Sequence, residues 1–421
     1  MAYMDNIKDK DDNRPVICFL TVGELITESN LLYSQVIQVA SFFYKNTPQW
    51  EVRYFGFIPL RSIVAAKVRH HPVDLHWLGK MPYSAKCFTS FSVIASMWGF
   101  FIRDVFAKVD GYRLSKEFPK AVKKRIVFIC RSYLATHVAI ALRNKRPDLN
   151  IAIIFDMRSL LSLEIAYKYG LFGKYSYVSA KEWERELIKE SVVTLMTTKR
   201  ACAMLALEYP WANITKLNIM GFPRRDKPNA DRVLSNRWSQ RIIAYVGSIQ
   251  KYSGLDEIKA ILGQLSKSSL HPETLIVSGN SPNGLQIPVR TIPYSNIPMF
   301  YDSILALLIT AAHTGTYIDD LMMSVNRFST KASEALSLGV PLIVSDKLSE
   351  LAQFVRDNRC GLVYHVECDG TFAFDAGIAQ SLSDYAFWLE LTEGAIKVGD
   401  RFTQEAVAET YLHSIYSALE V

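Results

Sequence analysis

The segment Phe328–Ser345, FSTKASEALSLGVPLIVS, combines a helix start, a helix stop and a buried strand. Ser329 or Thr330 can cap the start of the helix, and Gly339 followed by Pro341 ends it. The apolar, β-branched residues after Pro341 then predict a buried strand. A helix that leads at once into such a strand is half of a βα repeat, the unit of a doubly wound parallel sheet.

The same alternation of apolar strands with helical segments runs through most of the chain. In the first half the predicted strands are 15–21, 51–57, 73–78, 125–130, 150–155, 192–198 and 216–220. In the second half they are 242–246, 273–278, 304–309, 341–345 and 361–364. Strands that alternate with helices pair in parallel, so we predict an α/β protein with two doubly wound, Rossmann-like sheets.

Composition divides the chain into five predicted segments. They are a polar tail over 1–14, a first Rossmann-like domain over 15–222, a linker over 223–241, a second such domain over 242–400, and a last helix over 401–421. The last helix can pack back on the first domain. The linker is rich in Pro, Asn and Arg and is expected to be partly helical near its end. Ligands of open α/β sheets bind beyond the carboxyl ends of the strands, so both domains should face one central cleft.

The overall composition excludes several classes of protein. With 49% hydrophobic and 21% charged residues, the 421-residue chain can bury a large core and is not disordered. The net charge of +7 permits an anionic partner such as a nucleotide or a phospholipid surface, but the basic residues do not alternate with aromatic ones as nucleic-acid binding would require. The six cysteines form no Cys-x-x-Cys pair, so we expect reduced thiols, a cytoplasmic protein and no metal site.

Two segments of the second half suit a phosphorylated ligand. The helix predicted from Ser329 has free N–H groups and the positive end of its dipole at its start, where Lys331 adds charge and the Glu334 carboxylate can accept bonds from sugar hydroxyls. In Tyr245–Gly254, YVGSIQKYSG, a strand runs into Gly247, which lets backbone approach a ligand closely, and Lys251 can reach a diphosphate. The alternatives are an ordinary capped helix and an ordinary βα turn with an exposed lysine.

The first half carries charged residues at the predicted carboxyl ends of two strands. Arg131 follows the strand 125–130, and Asp156 and Arg158 follow the strongly apolar strand 150–155. Charge at such a place indicates side chains that face a cleft. The alternative is an Asp–Arg ion pair that holds the loop.

Taken together, these segments resemble the retaining glycosyltransferases of the GT-B fold, family 4 type (glycosyl transferases group 1). Many members have a strand-Gly-Ser-x-x-Lys-x-x-Gly segment, as in Gly247–Gly254, and a Lys-x-x-Glu-Ala/Tyr-Leu-x-x-Gly-x-Pro segment, as in Lys331–Pro341. A subgroup from cell-surface polysaccharide pathways has Arg-Ser-Tyr and then Phe-Asp-Met-Arg before a downstream Glu. Those motifs match Arg131–Tyr133, Phe155–Arg158 and Glu164.

The resemblance implies a transfer of sugar from a nucleotide-sugar to a glycan or lipid-linked glycan, with retention of configuration and without a metal or other cofactor. It places donor binding at Gly247, Ser248, Lys251, Gly279, His313, Ser329, Thr330 and Glu334, the last on the donor ribose. It places catalytic groups at Asn326, Arg327 and Lys331, and the acceptor side at Gly23, Arg131, Asp156, Arg158 and Glu164. Asn326 stands eight residues before Glu334, where the family has the first Glu of its Glu-x7-Glu pair.

Two other functions stay open beside this one. Asn326 in place of Glu favours a non-catalytic GT-B subunit that binds a partner glycosyltransferase. A GT-B nucleotide-sugar epimerase shares the fold and would form its product without any acceptor.

The segment 87–125 combines an apolar helical face with basic flanks. Its apolar residues recur at intervals of three and four; they include Phe88, Phe91, Ile94, Met97, Trp98, Phe101, Ile102 and Val105. Lys86, Arg103 and Lys108 flank them, and a run of lysines follows. The pattern fits a buried helix of the first domain or a helix lying in a membrane interface, which would bring the protein to a lipid-linked acceptor at the inner face of the membrane.

Overall fold

The structure is a computed structural model. It describes residues 14–23, 33–59, 74–81, 93–119, 124–222, 230–247, 249, 254–268, 270, 272–278, 287–311, 316–326, 328–367, 372–373 and 376–420.

The first sheet has seven strands in the order β3-β2-β1-β4-β5-β6-β7, and all neighbours are parallel. The strands are β1 (Val16–Val22), β2 (Glu51–Pro59), β3 (Asp74–Met81), β4 (Arg125–Arg131), β5 (Asn150–Asp156), β6 (Val193–Met196) and β7 (Ile214–Lys216). Every residue of β1, VICFLTV, is buried, as expected for a parallel strand covered on both faces. The last strand was predicted at 216–220; β7 is an edge strand that pairs for only three residues before the chain leaves the sheet.

Helices cover both faces of this sheet. They are α1 (Val39–Asn46, preceded by a π-helical turn over Tyr33–Gln38), α2 (Val93–Ser115), α3 (Ser132–Lys145), α4 (Leu161–Tyr169), α5 (Lys174–Lys189) and α6 (Lys199–Glu208). Residues of α2 to α5 share one apolar cluster with the sheet, and α1 shares another on the opposite face. Among the residues described, no helix is both long and apolar enough to cross a bilayer.

The second sheet repeats this plan in the order β10-β9-β8-β11-β12-β13-β14. Its strands are β8 (Ile242–Val246), β9 (Glu273–Val277), β10 (Val289–Arg290), β11 (Ile304–Ile309), β12 (Leu342–Ser345), β13 (Gly361–Val366) and β14 (Phe372–Ala373), and only β14 is antiparallel to its neighbour within the described sheet. Its helices are α7 (Ala230–Gln240), α8 (Leu255–Ser266), α9 (Ile297–Tyr301), α10 (Tyr317–Asn326), α11 (Thr330–Ser337), α12 (Ser349–Asn358), α13 (Ala376–Ser383) and α14 (Tyr385–Gly399). The prediction of two doubly wound sheets is thus confirmed.

Helix α7 falls inside the predicted linker but is built into the second domain. The Arg237 side chain is buried and donates to three backbone oxygens of that domain, at 3.1 Å to Tyr301, 2.9 Å to Leu338 and 2.8 Å to Gly339. A buried guanidinium needs such acceptors, so Arg237 fixes α7 against the ends of α9 and α11.

The last helix, α15 (Gln404–Glu420), returns to the first sheet. Its buried residues Val407, Tyr411 and Ile415 belong to the same apolar cluster as α1 and strands β1, β4 and β5. The chain therefore passes from the first domain to the second and back.

A carboxylate of the second domain joins the two domains. Glu350, in the first turn of α12, accepts the backbone N–H groups of Lys199 (2.7 Å) and Arg200 (3.3 Å) and the Lys216 ammonium (2.8 Å). It therefore caps α6 of the first domain, where the helix dipole favours negative charge. Next to it, the Thr198 hydroxyl donates to the Val325 carbonyl of α10.

We predict that Glu350→Ala lowers the free energy of unfolding by about 1–3 kcal/mol, because two amides and one ammonium lose their acceptor. Urea unfolding followed by circular dichroism measures the change. Glu393→Ala, at an exposed site on α14, is the control and should change stability by less than about 0.5 kcal/mol. Equal stability of the two variants would contradict the role of Glu350.

Candidate functional site

Strand order reverses beside β1 in the first sheet and beside β8 in the second, which makes these two strands the switch points of their sheets. A glycine with positive φ follows each of them directly: Gly23 (+73°) and Gly247 (+123°). The Gly23 amide donates to the Phe57 carbonyl at 2.9 Å, and β1 ends there. Ligands of doubly wound sheets bind in the crevice beyond such strands.

The two donor-side segments meet at the end of β8. The Lys331 ammonium donates to the Tyr245 hydroxyl at 2.7 Å and lies 4.1 Å from the centre of that ring. A Cβ on Gly247 would lie 2.7 Å from the Lys331 Nζ atom and would push the lysine side chain aside, and the φ of +123° strains any other residue there. Lys331 is therefore held across the carboxyl end of the central strand, with its charge stabilised by an aromatic face.

Glu334 lies one turn further along α11 and is buried. Its Oε1 atom accepts the Tyr294 hydroxyl at 2.7 Å. Burial raises the pKa of the Glu334 carboxyl to about 7, although Tyr294 and then Lys331 lower it. The carboxyl therefore changes charge near neutral pH.

Ser329 occupies the N-cap position of α11, but its side chain makes no capping hydrogen bond within the described residues. Its carbonyl accepts the Ala332 and Ser333 amides instead, at 3.0 and 3.2 Å. Thr330 is the first residue of the helix. The side-chain cap expected from the sequence is thus absent from the described part of this helix, and the helix start is set by backbone bonds.

Five of the residues that the sequence analysis selects lie outside the described residues: Ser248, Lys251, Gly279, His313 and Arg327. Asn326 is the last residue of α10. The donor-side geometry therefore rests on Gly247, Lys331 and Glu334.

Sequence reasoning missed a buried acid next to the donor segment. Glu257, in the first turn of α8, accepts the Tyr364 hydroxyl, and its Oε2 atom would lie 2.7 Å from a Cβ on Gly254. Gly254 has φ +66°, so a side chain there would be strained as well as crowded. Burial raises the pKa of Glu257 to about 8, against the smaller lowering effect of the Tyr364 hydroxyl. The sequence does not identify Glu257 as a residue of a site, because Glu257 lies in an ordinary helical pattern.

On the acceptor side, the predicted charged residues share one edge of the first sheet. Arg131 and Asp156 end neighbouring strands and are register partners. The Asp156 carboxylate is 2% exposed; it lies 2.6 Å from the Arg158 Nε atom and accepts the Tyr411 hydroxyl at 2.8 Å. The Tyr411 oxygen also accepts from Arg158 at 3.0 Å. The Asp–Arg ion pair, which the sequence analysis kept as the alternative, is therefore present.

This arrangement alters the electrostatics of the acceptor side. Although burial by itself lowers the pKa of Arg158, the Asp156 carboxylate and the Tyr411 oxygen raise it above the ordinary value. Burial, followed by the charge of Asp156, raises the pKa of Tyr411. Asp156 and Arg158 form a buried ion pair, and the Tyr411 hydroxyl of α15 contacts both of them. No motif in the sequence connects Tyr411 with residues 250 positions earlier.

Glu164 lies in the first turn of α4. The start of that helix is held by Glu184 of α5, which is buried. Glu184 accepts the Ser162 amide at 2.9 Å, the Ser162 hydroxyl at 3.0 Å and the Tyr133 hydroxyl at 3.0 Å. Tyr133 in turn accepts the Leu161 amide at 2.9 Å. Because α4 also packs against α10 of the second domain, this network fixes a helix at the cleft between the domains.

A cavity of about 770 Å³ lies between the domains beside Glu350. Its lining includes Lys199, Lys216 and Arg401, and none of the described site residues predicted from the sequence. The predicted site and this cavity are therefore different places.

No protein-family model matches the chain, and no curated protein matches it in sequence. Solved structures do resemble it. A sucrose-phosphate synthase from Thermosynechococcus elongatus superposes with a TM-score of 0.66 at 14% identity, over 96% of this chain and 99% of that one. WaaG, a glycosyltransferase involved in lipopolysaccharide biosynthesis, gives 0.58 at 15% identity, over 95% and 99%. A putative UDP-N-acetylglucosamine 2-epimerase from Listeria monocytogenes gives 0.54 at 10% identity, over 97% of both.

At these identities the likeness defines the fold. Two facing doubly wound sheets, matched over nearly the whole length of glycosyltransferase structures, make this a GT-B protein, and the fold expected from the sequence is confirmed.

We predict that Tyr411→Phe lowers the free energy of unfolding by about 1–3 kcal/mol, because the buried Asp156 and Arg158 lose a shared partner. Urea unfolding measures the loss. Tyr416→Phe on the same helix is the control, since that side chain is half exposed and its change should be close to zero. If both variants lose the same amount, the hydroxyl bridge contributes nothing.

We predict that Glu257 makes the protein less stable as the pH rises. The folded pKa of about 8 exceeds the ordinary 4.5, so the stabilisation is complete below about 4.5 and is lost as the pH rises through 8, by up to about 5 kcal/mol. Melting temperatures of the wild type and Glu257→Gln at pH 5 to 9 measure this effect. Glu257→Gln should flatten the alkaline loss, and parallel curves would show that Glu257 is not its source.

Proposed function

We propose that this protein is a glycosyltransferase that moves a sugar from a nucleotide-sugar to a glycan acceptor. The observation that carries the proposal is the meeting of Lys331 and Glu334, on the first two turns of α11, with Gly247 at the switch point of the second sheet. A cation, a helix start and a carboxyl at one crevice suit the diphosphate and the ribose of such a donor.

The proposed chemistry assigns one task to each group. When the bond from sugar to phosphate breaks, negative charge grows on the leaving diphosphate, and the Lys331 ammonium with the first amides of α11 stabilises it. The Glu334 carboxyl group accepts a ribose hydroxyl, and this hydrogen bond is stronger when the group is ionised. Retention of configuration, independence of metal ions and further catalytic roles for Asn326 and Arg327 come from the resemblance and complete the proposal.

The acceptor in this proposal is a glycan or a lipid-linked glycan used in cell-surface polysaccharide synthesis, bound along Gly23, Arg131, Asp156, Arg158 and Glu164. The likeness of the fold to WaaG, whose role is in lipopolysaccharide biosynthesis, supports this choice. We place the protein in the cytoplasm, at the inner face of the membrane where such acceptors are built. The domain limits at 222, 241 and 400 stay predictions.

A second candidate function is a nucleotide-sugar epimerase, favoured by the likeness to the putative epimerase fold. Incubation with nucleotide-sugars in the absence of acceptor separates the two, because only an epimerase yields a new nucleotide-sugar. A non-catalytic subunit would bind a partner glycosyltransferase and would convert neither the nucleotide-sugar nor the acceptor.

We predict that one nucleoside diphosphate, alone or as its nucleotide-sugar, raises the melting temperature of the protein, because binding at 100 times Kd stabilises by about 2.7 kcal/mol. The diphosphates UDP, GDP, ADP and dTDP form the panel, together with the monophosphate CMP. Lys331→Ala and Glu334→Gln should weaken the effective ligand by about tenfold or more, since each removes a charge-assisted contact.

Lys397→Ala and Glu393→Gln, at exposed positions on α14, are the matched controls and should leave binding unchanged. If no nucleotide shifts the wild type, the donor site is wrong and the non-catalytic subunit becomes the better explanation. If a nucleotide binds equally to all four variants, binding occurs elsewhere.

A further inference from the structure

Helix α2 turns four large apolar side chains towards solvent. Ile94, Trp98, Phe101 and Val105 follow one another along its outer face and are 59–73% exposed. The face towards the protein carries Phe100 and Leu114 together with several small residues; a Cβ on Gly111, for example, would lie 3.0 Å from the Ala141 side chain of α3. The close approach of α2 to α3 thus leaves the aromatic stripe outside.

A second apolar element projects from the turn between α4 and α5. Leu171 is 94% exposed and Phe172 is 88% exposed, and both lie in a 3-10 turn over Gly170–Gly173. Tyr175 and Val178, in the first two turns of α5, are also exposed. Two large apolar side chains in succession at the tip of a turn are costly in water unless something covers them.

The stripe and the turn lie on neighbouring elements at the same end of the sheet. Helices α2 and α5 lead into the parallel strands β4 and β6, so both helices begin at the carboxyl end of the sheet. They touch through Arg103, which donates to the Ser179 carbonyl at 3.4 Å and lies 5.2 Å from the Trp183 ring. The first half of α2 and the start of α5 therefore lie side by side at that end.

This end of the domain is the acceptor side of the cleft. Helix α4, which carries Glu164, ends where the 170–173 turn begins, and it packs against α10 of the second domain. The exposed turn is thus joined directly to a helix that lies at the cleft.

We propose that this surface, defined by Ile94, Trp98, Phe101, Val105, Leu171 and Phe172, docks on a lipid bilayer with anionic headgroups and turns the acceptor side of the cleft towards the membrane. The inference rests on the proposed function, since it names the carrier of the acceptor as a membrane lipid. A projecting turn beside an aromatic helix stripe can enter the boundary between headgroups and acyl chains.

Charge selects a bilayer with anionic headgroups. Lys108 and Arg113 on α2, and Lys116 directly after it, are exposed beyond the stripe. Lys174 is exposed near Phe172, and Asp104 is the exposed acid of α2 in the described residues. Cations that flank an apolar face lie at the level of the headgroups when that face is inserted. A second copy of this chain would bring the same cations together.

Vesicle flotation of the full chain tests the proposal, with phosphatidylcholine vesicles and with vesicles that also contain phosphatidylglycerol. The wild type should float with the mixed vesicles and lose that binding at high salt. Trp98→Ser and Leu171→Ser should each lower the bound fraction by about tenfold. Trp211→Ser and Leu207→Ser are matched controls, because Trp211 is 55% exposed and Leu207 is 85% exposed on α6 and the loop that follows it. Both controls should float like the wild type.

Three results would overturn the proposal: absence of the wild type from all floated vesicles, equal loss of binding in the variants and their controls, or a dimer in analytical ultracentrifugation that Trp98→Ser and Leu171→Ser dissociate. The last result would mean that a second copy covers the surface. Nucleotide-induced thermal shifts of the same variants, without vesicles, keep the two proposals apart. Failure of docking leaves those shifts intact, whereas failure of the proposed function removes the shift of the wild type and leaves the flotation result standing.

Discussion

The Asp156 carboxylate is buried at the carboxyl end of β5, and a buried carboxylate persists only with partners that offset its lost hydration. One partner, Arg158, is local; the other, Tyr411, comes from α15, which follows the entire second domain in the chain. The route to Tyr411 runs past the backbone bond from Gly221 to Phe402 at 2.9 Å, so the domain connection and the return are fastened together. The position of the two sheets relative to each other depends on this return.

The two switch-point strands end alike but are used differently. On the donor side a glycine leaves space that a lysine fills, and the cation rests on a tyrosine ring. At the predicted acceptor side, Asp156 and Arg158 form an ion pair within the protein, and the Tyr411 hydroxyl lies between them. The predicted donor site therefore combines the Lys331 ammonium with a helix start, which suits an anionic ligand, whereas the predicted acceptor site has an internal ion pair beside Arg131.

Local patterns predicted most strands, because a parallel strand covered on both faces reads as an unbroken apolar run, as in β1 and β11. The resemblance to GT-B glycosyltransferases, and not a local pattern, predicted that Gly247 and Lys331 serve one site. The contributions of Tyr411, Glu184, Glu257 and Glu350 could not be predicted, because each acts on a partner far away in the sequence or in a pattern with no special spacing. The sequence could not decide whether the apolar face of α2 points to solvent or to the protein. An amphipathic pattern identifies an apolar face but not the element that packs against it.

The return of α15 also affects the order in which the protein can fold as it is synthesised. Domains commonly fold from the N-terminus as they leave the ribosome. Until the second domain has been made, the first sheet lacks its covering helix α15, and Asp156 lacks its hydrogen bond from Tyr411. The domain that is translated first is therefore completed last, and a nascent chain stalled within the second domain exposes an open apolar face for chaperones to shield.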